Sequence, residues 1–150
     1  VFSAESTTNN ADCKGDFTVC GAAYSFTRQG NQLKFESVFT AGDSHSFNYF
    51  GESLALSANG KRVVVGTSSA DCANGNCGAA YLYDRVGAAW VSRGRVTGPS
   101  AGSGGTDLGG DFCGAVSLDE AGLNMLVAAR RDNCSAGQEC GKVYHYVLTP

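Results

Sequence analysis

Three times in this chain a short cysteine-bracketed loop runs into the same strand-like phrase. The copies are Cys13 to Cys20 then Gly21-Ala22-Ala23-Tyr24, Cys72 to Cys77 then Gly78-Ala79-Ala80-Tyr81, and Cys134 to Cys140 then Gly141-Lys142-Val143-Tyr144. Successive copies lie roughly 60 residues apart, the period of a repeat array. A second phrase keeps the same period: Phe50 to Cys72 aligns without a gap onto Phe112 to Cys134. Leu54 falls on Val116, Leu56 on Leu118, Gly60 on Gly122, and Val63-Val64-Val65 on Met125-Leu126-Val127. Such a repeat is one supersecondary unit that cannot bury its apolar face alone and must stack on neighbours.

The unit reads as β throughout. Each cysteine loop is followed by apolar and aromatic residues at period two, as in Ala80-Tyr81-Leu82-Tyr83 and Val143-Tyr144-His145-Tyr146-Val147. Second strands are predicted over Gln32 to Phe39 and Ala89 to Val96, joined to the first by tight turns at Gln29-Gly30-Asn31 and Val86-Gly87-Ala88. Ser53 to Ser57 alternates, turns at Ala58-Asn59-Gly60 and returns as Arg62 to Val65; Asn-Gly between such runs is a strong hairpin signal. Asp119 to Gly122 takes that role in the next copy. No segment shows a helical stripe. The expected fold class is therefore all-β, with four-stranded antiparallel blade-like sheets in tandem. The chain supplies two strands, then four, then three. Residues 1–12 form an N-terminal arm, and residues 13–150 the repeat domain, divided at about 13–71, 72–133 and a partial 134–150.

Six of the seven cysteines form three local pairs: Cys13 with Cys20, Cys72 with Cys77, and Cys134 with Cys140. Zinc sites use closely spaced pairs with a matching second pair or histidines. Here the pairs lie a repeat apart, and His45 and His145 fall outside the loops. Disulfides stapling each loop are the better reading, and they point to an oxidising, extracellular compartment. Closing so short a loop fixes local shape more than global stability. Cys113 is left over, at the place where the other copy has Gly51. A buried free thiol acting as a small hydrophobe is the first reading, and an intermolecular bond the second.

Composition excludes several functions. A net charge of −3 with 17% charged residues gives no basic footprint for nucleic acid or for an anionic membrane. No apolar run approaches the roughly 20 residues a spanning helix needs. The chain begins at Val1 rather than Met, as expected of a removed leader or of a piece of a longer protein. No catalytic constellation is found, and neither enzyme activity nor a cofactor is expected. Asp43, Asp107 and Asp111 sit in Gly/Ser-rich connections as turn formers. The aromatic pairs Tyr24/Phe26, Tyr81/Tyr83 and Tyr144/Tyr146 recur with the repeat, which favours packing between units over a sugar-binding ladder. Asn133-Cys134-Ser135 fits the N-glycosylation acceptor pattern, and the Ser/Thr-rich stretches around Thr7, Thr8 and Thr97 to Thr106 have the composition of O-glycosylated segments.

The run Phe50-Gly51-Glu52-Ser53 through Val65-Gly66, followed by Gly78-Ala79-Ala80-Tyr81-Leu82-Tyr83 and by Trp90, resembles an FG-GAP repeat, the four-stranded blade of integrin-α-type β-propellers. The resemblance runs from Gly21 to the C-terminus and is sharpest in the middle copy. In the last copy Phe112-Cys113-Gly114 replaces Phe-Gly and Val127-Ala128-Ala129 replaces the Val-Gly-Thr turn. Many blades of this family carry a calcium loop of alternating Asp/Asn oxygens. The turns here, Ser57 to Gly60 and Asp119 to Gly122, have too few carboxylates in register, so no metal is expected.

About two and a half units cannot close a propeller, which takes roughly 4–8 blades. An array that starts and ends inside a blade leaves strand edges and faces unpaired, and head-to-tail contacts that do not close make open filaments. The expectation is a secreted structural subunit of an extracellular filament or surface appendage, partnered by itself and carrying attached glycan. The Val1-Phe2 arm would act as an assembly strand given to a neighbour. The alternative is an adhesion or binding module of protein or glycan ligands within a larger propeller.

Overall fold

The computed structural model describes residues 2–4, 21–42, 49–72, 75–98, 112–132 and 140–150, and of residues 2–4, 71–72 and 75–76 the backbone alone. Among the described residues there are twelve strands and no helix. They form three antiparallel sheets and one small hairpin. The first sheet runs β1 (Phe2–Ala4), β2 (Ala22–Gln29), β3 (Gln32–Phe39). The middle sheet takes β4 (Ser53–Leu56), β5 (Arg62–Thr67), β8 (Ala79–Val86) and β9 (Ala89–Thr97) in that order. The last sheet runs β10 (Phe112–Leu118), β11 (Asn124–Ala129), β12 (Lys142–Val147). Between β5 and β8, β6 (Asp71–Cys72) and β7 (Gly75–Asn76) pair as a short hairpin.

The sequence reading counts two strands in the first sheet; the structure has three. Phe2 lies opposite Tyr24, and Ala4 opposite Ala22. In the middle sheet, Val65 holds the place opposite Tyr81. The arm thus fills, within its own chain, the position that β5 fills in the middle sheet. A short strand from the Val1-Phe2 arm is expected at a neighbour's sheet; here Phe2–Ala4 pairs instead with β2 of its own chain, and the arm's sequence alone does not say which sheet edge receives it.

The repeat extends to its irregularities. A bulge interrupts β2–β3 between Ser25 and Phe26, and another interrupts β8–β9 between Leu82 and Tyr83, at equivalent positions. Each leaves one extra residue on the returning strand, Glu36 in one case and Arg93 in the other, and sharpens the twist there.

Burial shows how the sheets stack. Val63, Val64 and Val65 of β5 are all fully buried, whereas their counterparts Met125, Leu126 and Val127 alternate buried, exposed, buried. A strand covered on both faces reads as a continuous apolar run, and one covered on a single face alternates. The middle sheet is covered on both sides. One core joins the first sheet, through Ala23, Phe39 and Ala41, to Phe50, Val63, Val65, Tyr81 and Tyr83 of the middle one. A second joins Val64, Ala80 and Leu82 of the middle sheet to Phe112, Cys113, Met125 and Val127 of the last. Among the described residues the sheets do not close into a ring of blades.

Candidate functional site

The surfaces with a definable purpose are the stacked sheet faces. Each of the two boundaries is built from the same parts. Phe50 packs edge-on against Tyr81 at 5.3 Å, and its counterpart Phe112 lies 5.7 Å from Tyr144. At the first boundary Phe39 reaches across to Tyr83 and Trp90, with ring centroids 5.0 and 5.6 Å away. The Tyr83 hydroxyl donates to Thr40 O at 3.2 Å, and Arg85 pairs with Glu36. The aromatic pair Tyr81/Tyr83 is buried in this boundary, as the packing reading expects. At the second boundary backbone meets backbone. A Cβ on Gly78 would lie 2.1 Å from Phe112 O, and one on Gly66 would lie 2.9 Å from Cys113 O. Gly78 also has a φ of +71°, a conformation that only glycine adopts without strain. Gly78, which opens the middle Gly-x-x-Tyr phrase, is therefore the point where the last sheet docks, whereas Gly141, which opens the last phrase, faces the backbone of Arg130 and Ala129 in its own sheet.

Cys113 sits in that docking contact. Its carbonyl accepts a 2.7 Å hydrogen bond from Ser53 Oγ, and its side chain is fully buried. Its φ of +71° matches the left-handed conformation of Gly51 (φ +100°) in the other copy. Cysteine there bears a backbone cost of about 1–2 kcal/mol that glycine avoids. Burial, with the Glu52 carboxylate adding to it, pushes the thiol far above its ordinary range. A buried neutral thiol is inert, which suits the packing reading better than the intermolecular bond.

One buried charge holds the middle and last sheets together. Arg62 is nearly buried, and its guanidinium grips Asp84 at both oxygens, Nε to Oδ1 at 2.6 Å and Nη2 to Oδ2 at 2.9 Å. Its remaining donors reach Gly122 O at 2.7 Å, in the turn between β10 and β11, and Thr149 O at 3.2 Å, just past β12. Arg93 adds a bond to Asp84 Oδ2 at 2.8 Å. The Arg62 guanidinium holds the Asp84 carboxyl below the usual carboxylate range. A cavity of about 290 Å³ opens beside this cluster, lined by Arg93, Arg95, Leu148 and Thr149 among others. Sequence reading assigns Arg62 only to a strand. A charge heading the run Val63-Val64-Val65, with Asp84 opposite in the next strand, is the signal that could have revealed it.

The sequence-expected residues fall as follows. Cys140 is disulfide-bonded. Cys77 is buried, its N–H donating to Ala70 O at 2.9 Å. Cys72 is described by its backbone alone, and Cys13, Cys20, Cys134, Asn133, Val1, His45, Asp43, Asp107 and Asp111 lie outside the described residues. His145 stands on the outer face of β12, with Nε2 3.0 Å from Asn124 Oδ1. Asp119 closes its turn, accepting from Leu123 N at 2.7 Å and from Asn124 Nδ2 at 2.7 Å. Asn59 orders the other turn and also donates to Ala121 O at 3.2 Å, tying the two turns together. In both turns the Asn59 and Asp119 side chains are engaged in hydrogen bonds within the turn or between the two turns.

Residues 34–83, from β3 to Tyr83 of β8, match the FG-GAP repeat family. This is the segment on which the sequence resemblance is sharpest, and it carries the Phe50, Gly66 and Gly78 contacts described above. Comparison with curated proteins gives no match. The FG-GAP repeat points to a binding or adhesion module of β-propeller type.

Proposed function

We propose that this chain works by binding rather than by catalysis, as an extracellular adhesion module of stacked FG-GAP blades with disulfide-stapled loops between its strands. The observation that carries this reading is the repeated boundary. Phe50 and Phe112 dock on the preceding sheet in one manner, within and just beyond a segment matched to a repeat that typically occurs in extracellular proteins. Such an array has rigid faces and variable loops, the arrangement on which recognition surfaces are built. The loops following β9 and β11, with glycan at Asn133, supply the variable part, and the ligand is a protein or a glycan. Since the turns at Ser57–Gly60 and Asp119–Gly122 are short of acidic residues, binding should need no divalent cation. The immobilised chain is tested against a glycan array and a panel of extracellular matrix proteins, with and without EDTA. Saturable binding that survives EDTA is expected; absence of binding on both panels, or its loss in EDTA, contradicts the reading.

A second reading, the structural subunit of an extracellular filament or surface appendage, is favoured by the apolar faces left uncovered on the first and last sheets. Leu33 and Phe35 are exposed on one, Val143 and Val147 on the other.

A further inference from the structure

Asn59-Gly60 is one of two Asn-Gly pairs in the chain, the other being Asn74-Gly75. Asparagine before glycine is prone to intramolecular ring closure, because a glycine amide has no side chain beside it to obstruct attack. Around Asn59 the structure supplies part of that chemistry and withholds the rest. The side-chain oxygen Oδ1 accepts from Ser57 Oγ at 2.8 Å and from Lys61 N at 2.9 Å. Two donors on one oxygen draw charge from Cγ and stabilise the negative charge that attack would develop there. The nucleophile is held elsewhere: Gly60 N donates to Ser57 O at 2.9 Å, closing the turn. The leaving group is tied as well, Nδ2 donating to Ala121 O at 3.2 Å, and Asn59 N donates to Glu120 O at 3.3 Å. Both of those acceptors belong to the turn between β10 and β11, so the last sheet holds Asn59 in an unreactive pose. Gly122 stands at the same contact, where an added Cβ would lie 3.0 Å from Arg62 Cβ and 3.2 Å from Ser57 Cβ.

We propose that Asn59 is a site of spontaneous deamidation, gated by the contact between these two turns. When the turns part, Gly60 N is released from Ser57 O and the Asn59 amide from Ala121 O. Gly60 N then bonds to Asn59 Cγ, the Cγ–Nδ2 bond breaks, and ammonia leaves with the proton from Gly60 N. The resulting succinimide takes up water and opens at either carbonyl, giving aspartate or isoaspartate. Either product carries a carboxylate in place of the amide, and a carboxylate cannot donate to Ala121 O. Isoaspartate also routes the backbone through the former side-chain carbon, which the hydrogen-bonded turn from Ser57 to Gly60 does not fit. The modification is therefore one-way: parting of the turns admits it, and the product weakens the contact that had guarded the site. It goes beyond the binding and assembly readings and depends on neither.

Peptide mapping by mass spectrometry tests this on the 150-residue chain incubated in mildly alkaline buffer, folded and in urea. The map separates Asn59 from Asn74, which marks the rate of the bare chemistry in the unfolded chain. Asn59 should convert about 10-fold or more slowly in the folded chain than in urea, because reaction waits on local opening. Gly122→Ala, which presses the two turns apart, should speed conversion in the folded chain. Gly87→Ala is the control: it has the same left-handed backbone with open space around the added atom, and should leave the rate unchanged. Circular dichroism checks that both variants fold, and the comparison of folded with unfolded wild type stands without them. Asn59→Asp, which stands in for one product, should lower the ratio of folded to unfolded chain about 5- to 30-fold in urea denaturation. Conversion at Asn59 as fast in the folded chain as in urea, or equal rates in the two glycine variants, overturns the gate. An Asn59→Asp chain as stable as wild type overturns the effect of the modification on the contact.

Discussion

Gly78→Ala is expected to cost roughly 3–5 kcal/mol, a large share of the 5–15 kcal/mol that holds a domain of this size folded. Two effects add. A Cβ in the left-handed region costs about 1–2 kcal/mol by itself, and Gly78 has a φ of +71°. That Cβ would also stand 2.1 Å from Phe112 O and 3.0 Å from Thr67 O, both backbone atoms that no rotamer change can move. Relief requires the last sheet to retreat from the middle one, opening the core around Phe112, Met125 and Val127. Gly87→Ala is the control. It has a φ of +63° with nothing within 4 Å of the added atom, so only the conformational cost of about 1–2 kcal/mol should appear. Urea denaturation of the two variants compares them directly. Equal losses would mean that the sheets do not meet at Gly78.

The second large effect is expected at Asp84. Removing one partner of a buried ion pair strands the other charge and costs about 3–5 kcal/mol. The Asp84 side chain keeps 15% of its exposure, which places Asp84→Asn near the lower end, at about 3 kcal/mol. A double variant that replaces Arg62 and Asp84 by apolar residues should lose less than the two single losses together, since neither charge is then stranded. The pH dependence has a definite sign. Asp84 is held below the usual carboxylate range in the folded state, chiefly by its hydrogen bonds from Arg62 and, after them, Arg93. Its contribution is therefore fully present above the unfolded value near 4 and is lost as pH falls through the folded value. Thermal unfolding followed from neutral pH into the acid range should show the wild type falling steeply below about pH 4. The difference between wild type and Asp84→Asn should shrink over the same range. A difference that stays constant with pH would remove Asp84 as the titrating group.

Much of the architecture was legible because it repeats. The hairpins at Gly30, Asn59-Gly60 and Gly87 have local turn signals, and their strands fall where alternation puts them, β3 at Gln32–Phe39 among them. The recurrence of the aromatic pairs points to packing between units, and Tyr81/Tyr83 and Tyr144/Tyr146 do lie in or against the two cores, whereas Tyr24/Phe26 lies on the other face of the first sheet, Phe26 against Phe35. What stayed hidden depends on contacts between distant residues. The strand in the arm was expected, but its pairing with β2 of its own chain rather than with a neighbour depends on which sheet edge stands open, and that is not written in the arm's sequence. Arg62 reads as a strand-end charge until folding brings it to Gly122 and Thr149. Gly78 reads as a turn glycine, and only the docked sheet reveals the steric demand. Cys113 is visible as an exception to Gly51, but its left-handed backbone and its carbonyl bond to Ser53 appear only when the sheets are stacked.

All of these effects follow from one arrangement, a middle sheet covered on both faces by neighbours that are each covered on one. Native-state hydrogen exchange measures this most directly. The amides of β5 and of the first half of β8, from Val63 to Val65 and Ala79 to Leu82, should be the slowest in the molecule. They should open only with global unfolding. The edge strands β3 and β12 should exchange through local opening, orders of magnitude faster. Slowest exchange in β3 or β12, or equal protection in all three sheets, would contradict the stacked arrangement.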